Sequence, residues 1–166
     1  MSAFNIEVDL SSAFDQLDGV AERVGEAVRD ATYQGAMVLR REVEARAPMS
    51  EKAHIFTSKR LKSGKVGQKY LFYPGDLKRS IYIAFNKDAS EDNLKAEYWI
   101  AWRKTKPQNS GKISVPYAHW VEFGNSRVQA SPFLRPAYDS KHLEAEAKVL
   151  EILHRAVDGT ANHNSD

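Results

Sequence analysis

The residues best able to do chemistry in this 166-residue chain are His119 and Glu122, three apart in Tyr117-Ala-His-Trp-Val-Glu-Phe-Gly124. On one turn of helix that spacing lets an imidazole and a carboxylate converge. A zinc or iron centre needs at least one ligand more. His142, His154 and Asp139 supply the donor types, but nothing in their spacing brings them to His119. The simpler role for Glu122 is as an acceptor, either capping the backbone N–H groups of Gly124 and Asn125 or pairing with Arg127 or Arg135. The chain has no cysteine, which removes thiol nucleophiles, disulfides and Cys-ligated zinc. Gly64-Lys-Val-Gly67-Gln-Lys69 lacks the Gly-Lys-Ser/Thr ending of a phosphate-binding loop and has no buried strand before it. No serine-nucleophile or paired-carboxylate motif occurs either. These residues predict neither an enzyme nor a bound cofactor or metal.

A second kind of chemistry is electrostatic. From Met49 to Tyr73 the chain carries Lys52, Lys59, Arg60, Lys62, Lys65 and Lys69 against one acid, Glu51. Such a segment can grip a phosphate backbone, with Tyr70, Phe72 and Tyr73 available for stacking. It can equally meet an acidic protein, or simply keep a long loop solvated. The formal net charge of the whole chain is only +2, which by itself does not indicate nucleic-acid binding.

Several elements must position these residues. Phe4-Asn-Ile-Glu-Val-Asp-Leu10 alternates as a half-buried strand does. After Ser11 and Ser12, which are good N-caps, apolar residues recur at helical spacing: Phe14, Leu17, Val20, Val24, Val28, Ala31 and Val38. This long amphipathic helix ends at Ala47-Pro48. Gly19, Gly25 and Gly35 weaken it by roughly 1 kcal/mol each relative to Ala, so close approach of another element is one reason for them, and Gly19 is a point where it can break. Residues 49–73 read as an insertion, with a hairpin closing on Tyr70 to Tyr73. Ser80 to Phe85 and Glu97 to Trp102 are aromatic and β-branched strands, and Ile113 with Val115 offers another. Trp99, Trp102 and Trp120 suit either a core or an interface. A last helix starts near Pro136, carries an apolar stripe of Leu143, Ala147, Leu150 and Val157, and ends at Gly159.

The pattern predicts an α+β protein: a small, mostly antiparallel sheet of three to four strands, packed by a long N-terminal helix and a C-terminal helix. One domain is expected over residues 1–159, with a disordered tail at 160–166. With 42% hydrophobic and 28% charged residues the composition is that of an ordinary globular protein. The N-terminus has neither a basic start nor a long apolar run, so no signal peptide is expected. No stretch approaches the roughly 20 apolar residues that span a bilayer, and no membrane partner is expected.

Tyr117 to Ala137 is the densest stretch, with Tyr117, Trp120, Val121, Phe123, Phe133 and Leu134 broken by Gly124, Pro132 and Pro136. Gly124 allows the positive φ of a sharp exit from the Tyr117–Phe123 turn. Three pieces together resemble the tail-completion, or minor tail (head–tail joining, neck), protein family of tailed bacteriophages. They are the helix closing on Ala47-Pro48, the segment Gly75-Asp-Leu77-Lys-Arg-Ser80-Ile81, and Val-Glu122-Phe123-Gly124 followed by Pro132-Phe133-Leu134-Arg135-Pro136-Ala137. The chain departs from the family's shortest members in the basic insertion, and in having Asn125 where threonine is common.

The resemblance implies a tail-terminator-like fold and a structural protein of the virion neck, made in the bacterial host cytoplasm. It implies a ring of copies of the chain, usually six, that completes the tail between the head connector or adaptor and the tail terminator or tail tube. DNA would pass through the lumen. In that setting Phe133 and Leu134 pack the last helix, and Arg135 pairs with a carboxylate, Glu122 being the first candidate in the same or a neighbouring subunit. The competing reading is a nucleic-acid-binding module acting through the basic loop 52–69.

Overall fold

The computed structural model describes residues 11–57, 69–104 and 113–159, with side chains for 17–55, 70–104 and 113–159. The strand expected at Phe4–Leu10 and the tail 160–166 lie outside the described residues, as do Lys59, Arg60, Lys62 and Lys65. Helix α1 runs Ser11–Arg46 and stops where Ala47-Pro48 removes the next N–H donor. It passes Gly19 without a break. Strands β1 (His54–Thr57) and β2 (Lys69–Phe72) form an antiparallel ribbon. A one-turn helix α2 (Asp76–Ser80) leads into β3 (Ile81–Phe85), which pairs antiparallel with β4 (Tyr98–Trp102). A short helix α3 (Ala118–Phe123) and the long α4 (Leu134–Asp158) complete the order.

The expected α+β class holds, with antiparallel strands packed by an N-terminal and a C-terminal helix. The strands divide differently from one sheet, however: the four described strands make two separate ladders of two. The chain turns at Pro74-Gly75 and winds α2 between the two ribbons, so β2 and β3 do not align. Ile113 to Val115 adds no strand. Val115 only extends the second ladder by one bond, its N–H donating to the Arg103 carbonyl at 2.7 Å.

The core gathers small contributions from most elements. Val43 of α1 and Ala47 just beyond it meet Phe72 of β2, Leu77 of α2, Ile81 of β3, Val115, Ala118 of α3, and Phe133 and Ala137 at the α4 end. The two long helices pack antiparallel, with Arg46 reaching Ser140 and Gly35 lying against Ala145 and Val149. A Cβ at Gly35 would stand 2.6 Å from Val149 Cγ2 and 3.1 Å from the Ala145 carbonyl oxygen, so only glycine permits this approach. At this crossing α4 turns Ala145 and Val149 to α1, and its buried residues are the small Ala137 and Ala145. The apolar stripe evident in the sequence points the other way: Leu143, Ala147, Leu150 and Val157 are exposed.

Candidate interaction surface

Helix α3 is barely more than a turn, and its one buried acid sets the start of the next helix. Glu122 is 3% exposed. Its Oε2 accepts the backbone N–H groups of Phe133 at 2.8 Å and Leu134 at 3.0 Å, and its Oε1 accepts that of Arg135 at 3.3 Å. These are the donors a helix leaves unsatisfied in its first turn, where the macrodipole also favours an anion. The next residue, Pro136, has no N–H to satisfy. A carboxylate from another element thus caps α4, whose own N-cap residue, Phe133, makes no side-chain cap.

Glu122 is the structural acceptor expected, with different partners. Gly124 N–H donates to the Trp120 carbonyl, and Asn125 N–H to that of Val128. The Arg135 guanidinium lies over the Phe123 ring, 5.3 Å from its centroid. His119 stays exposed, with Nδ1 3.0 Å from the Pro116 carbonyl oxygen. Among the described residues no group of three or more His, Asp or Glu side chains could hold a metal ion.

The loop after α3 is tightly closed. Gly124 has φ +72°, and a Cβ there would lie 2.9 Å from the Ala130 nitrogen, so the expected positive φ is met by the one residue type that fits. Asn125 Oδ1 accepts from Arg127 and Val128, a side chain mimicking a backbone turn. Ser131 N–H then returns to the Val121 carbonyl at 2.8 Å. Pro132 is exposed, Phe133 is fully buried beside Trp102, and Leu134 is half-buried against the core.

The signature segment around Leu77 is organised in the same way. Asp76 is buried, accepting the Tyr73 N–H at 2.8 Å and pairing with Arg79 at 2.6 Å. Ser80 is buried too, and its hydroxyl donates to the Leu77 carbonyl at 2.7 Å. Leu77 and Ile81 flank it in the core.

Between the first ribbon, α3 and the 125–131 loop lies an open apolar groove. Its larger part, about 640 Å³, is lined by His54, Ile55, Tyr117, Trp120, Val121 and residues 125–128. An adjoining part of about 350 Å³ adds Met49, Tyr73, Gly75, Asp76 and Leu77. Tyr117 stands at their junction, its ring edge-on to Phe72 at 4.8 Å and to His54 at 5.4 Å. Burial, with the negative charge of Asp76 nearby, pushes the Tyr117 hydroxyl up to about 12, so it stays neutral. Around the rim Met49, Ile55, Leu71, Tyr73 and Val128 are exposed. Ile55 and Leu71 are cross-strand partners, so they set an open apolar pair on one face of the ribbon. Contiguous exposure of this kind marks a surface that something covers.

Of the expected contact residues, Lys52 is exposed just before β1, and Lys69 begins β2 with its side chain outside the described residues. The structure brings together Tyr117, Trp120 and the 125–128 loop, and adds His54 and Ile55, which no sequence motif singles out. The strand-like run His54-Ile-Phe-Thr57 is the available signal, obscured by the basic stretch after it.

A family model described as "Bacteriophage HK97-gp10, putative tail-component" matches residues 13–124, from α1 to the glycine after α3. No curated protein and no solved structure gives a significant match.

Proposed function

Because the chain belongs to the HK97 gp10-like family of bacteriophage tail components, we propose that it is a structural subunit of the virion neck. In this reading it completes the tail and joins it to the head connector, assembling as a ring of about six copies. Its other neighbours would be the head connector or adaptor and the tail terminator or tail tube protein, with genomic DNA passing through the lumen. The observation that carries the reading is the open apolar groove beside the exposed apolar pair of the ribbon, on a chain of a tail family. A protein that works by assembly needs such a surface, and aromatic anchors such as Tyr117 and Trp120 suit its centre. Two buried carboxylates among the described residues support a structural role as well. Glu122 and Asp76 are both committed to backbone N–H groups, and Asp76 also to Arg79.

The test is genetic and microscopic. Without the chain, filled heads and finished tails should accumulate unjoined, and in intact particles an antibody or tag should mark the neck. Normal joined particles formed in its absence would sink the proposal.

A further inference from the structure

The outer face of α4 is apolar at its centre and acidic at its edges. Leu143 and Leu150 are seven residues apart, which on a helix of 3.6 residues per turn puts them in one line, with Ala147 between them. Leu143 is 69% exposed and Leu150 46%. The same geometry sets Asp139 and Glu146 along one side of that line, and Asp158 along the other, beside a Glu151 already paired with Lys148 and Arg155. The basic residues of this part of α4 are engaged within the helix, Lys141 with Glu144 and both Lys148 and Arg155 with Glu151. The groove has the opposite character. Among the described residues the ionisable groups at the larger part, Tyr117 aside, are His54 and Arg127, with no carboxylate, and Lys52 lies just before β1 beside Glu51. In the adjoining part Asp76 is already paired with Arg79.

We infer that the acid-edged outer face of α4, centred on Leu143 and Leu150, seats in the groove lined by Ile55, Trp120 and Val128 of a second copy. This rests on the assembly reading above and specifies its contact. An amphipathic helix laid into an apolar groove is a recurrent recognition mode, anchored by residues one to two turns apart. Complementary charge at the rim fixes orientation and register. The two patches lie on different parts of the chain, so the contact can repeat head to tail from copy to copy and close into a ring, which a ladder of chain multiples distinguishes from a reciprocal pair that stops at the dimer.

The absence of cysteine gives a clean test. Leu150→Cys and Val128→Cys are introduced singly and together, and particles are treated with a short bismaleimide. The double variant should give a ladder of chain multiples with loss of the monomer band, and neither single variant should give one. A dimer from Leu150→Cys alone would show α4 meeting α4, and would overturn the inference. A chain present in particles but uncrosslinked in the double variant would overturn it too, leaving the neck assignment standing. A chain missing from wild-type particles would instead overturn the neck assignment and this contact with it. Leu150→Asp gives an independent reading: unchanged melting with loss from particles is expected, and incorporation at the wild-type level would overturn the contact.

Discussion

Glu122 in α3 holds the backbone N–H of Phe133 at 2.8 Å, so one buried carboxylate fixes where α4 begins. Phe133 is fully buried against Trp102, and the same carboxylate also holds Leu134 and Arg135. Removing it leaves the first-turn donors without an acceptor, one of them in the core. Charge-assisted hydrogen bonds of this kind are worth about 1.5–3 kcal/mol each, though shared loss is not additive. Glu122→Ala should cost about 2–4 kcal/mol. Denaturant titration checks it, and a loss under about 0.5 kcal/mol would mean water replaces the cap. Glu122→Gln keeps the shape and an acceptor, and should lose about half as much.

Phe133→Ala should cost roughly 3–5 kcal/mol, the range for a fully buried ring whose cavity cannot collapse. The neighbours that would have to close on it belong to β4, α3 and α4, each held by its own bonds. If the measured loss stays below about 1 kcal/mol, Phe133 is not the anchor the packing indicates.

Two glycines in one helix should respond with opposite signs. Gly35→Val puts atoms where Val149 and the Ala145 carbonyl already stand, and should destabilise by about 1–3 kcal/mol by prising α4 from α1. At Gly19 the nearest atom to a Cβ is the Arg23 guanidinium, 3.7 Å away, so Gly19→Ala should stabilise by up to about 1 kcal/mol. Equal effects in thermal melts would contradict the close approach.

Alkaline pH should expose Tyr117. Its hydroxyl ionises near 10 when unfolded and at about 12 when folded, because burial and Asp76 disfavour the anion. The unfolded chain therefore loses this proton first. The contribution is fully present below pH 10 and is lost as pH rises from 10 through 12. Tyrosinate absorbance should show one late-titrating residue, and Tyr117→Phe should make stability fall less steeply across that window.

These residues also show what a sequence discloses. Ala47-Pro48 ends α1 by chemistry local to the chain, and Gly124 takes its positive φ for the same reason. The role of Glu122 as an acceptor was legible, but its partners were not, because Phe133 to Arg135 reach it only once α3 and α4 are packed together. In α4 the periodicity revealed an apolar stripe without revealing what covers it. The face against α1 was less legible, because it rests on the close approach of Gly35 to Ala145 and Val149, which only the packed pair of helices reveals. The groove was least legible of all. Its walls come from His54-Ile55 and from residues 117–128, which no local pattern connects.

The groove should matter for assembly and not for folding. Ile55 is 64% exposed on the open face of a two-stranded ribbon, so a charge there meets water and should change stability by no more than about 0.5 kcal/mol. In a formed interface the same charge would be stripped of water beside Trp120 and Val128, a cost of several kcal/mol unless it finds a partner. Ile55→Asp should therefore melt like the wild-type chain and be depleted from particles at least tenfold, the change that about 1.4 kcal/mol produces. Ile55→Val, which keeps the surface apolar, should be incorporated normally. Lost stability in the aspartate variant would place Ile55 in the folded core instead, and undiminished incorporation would show that nothing docks on this face.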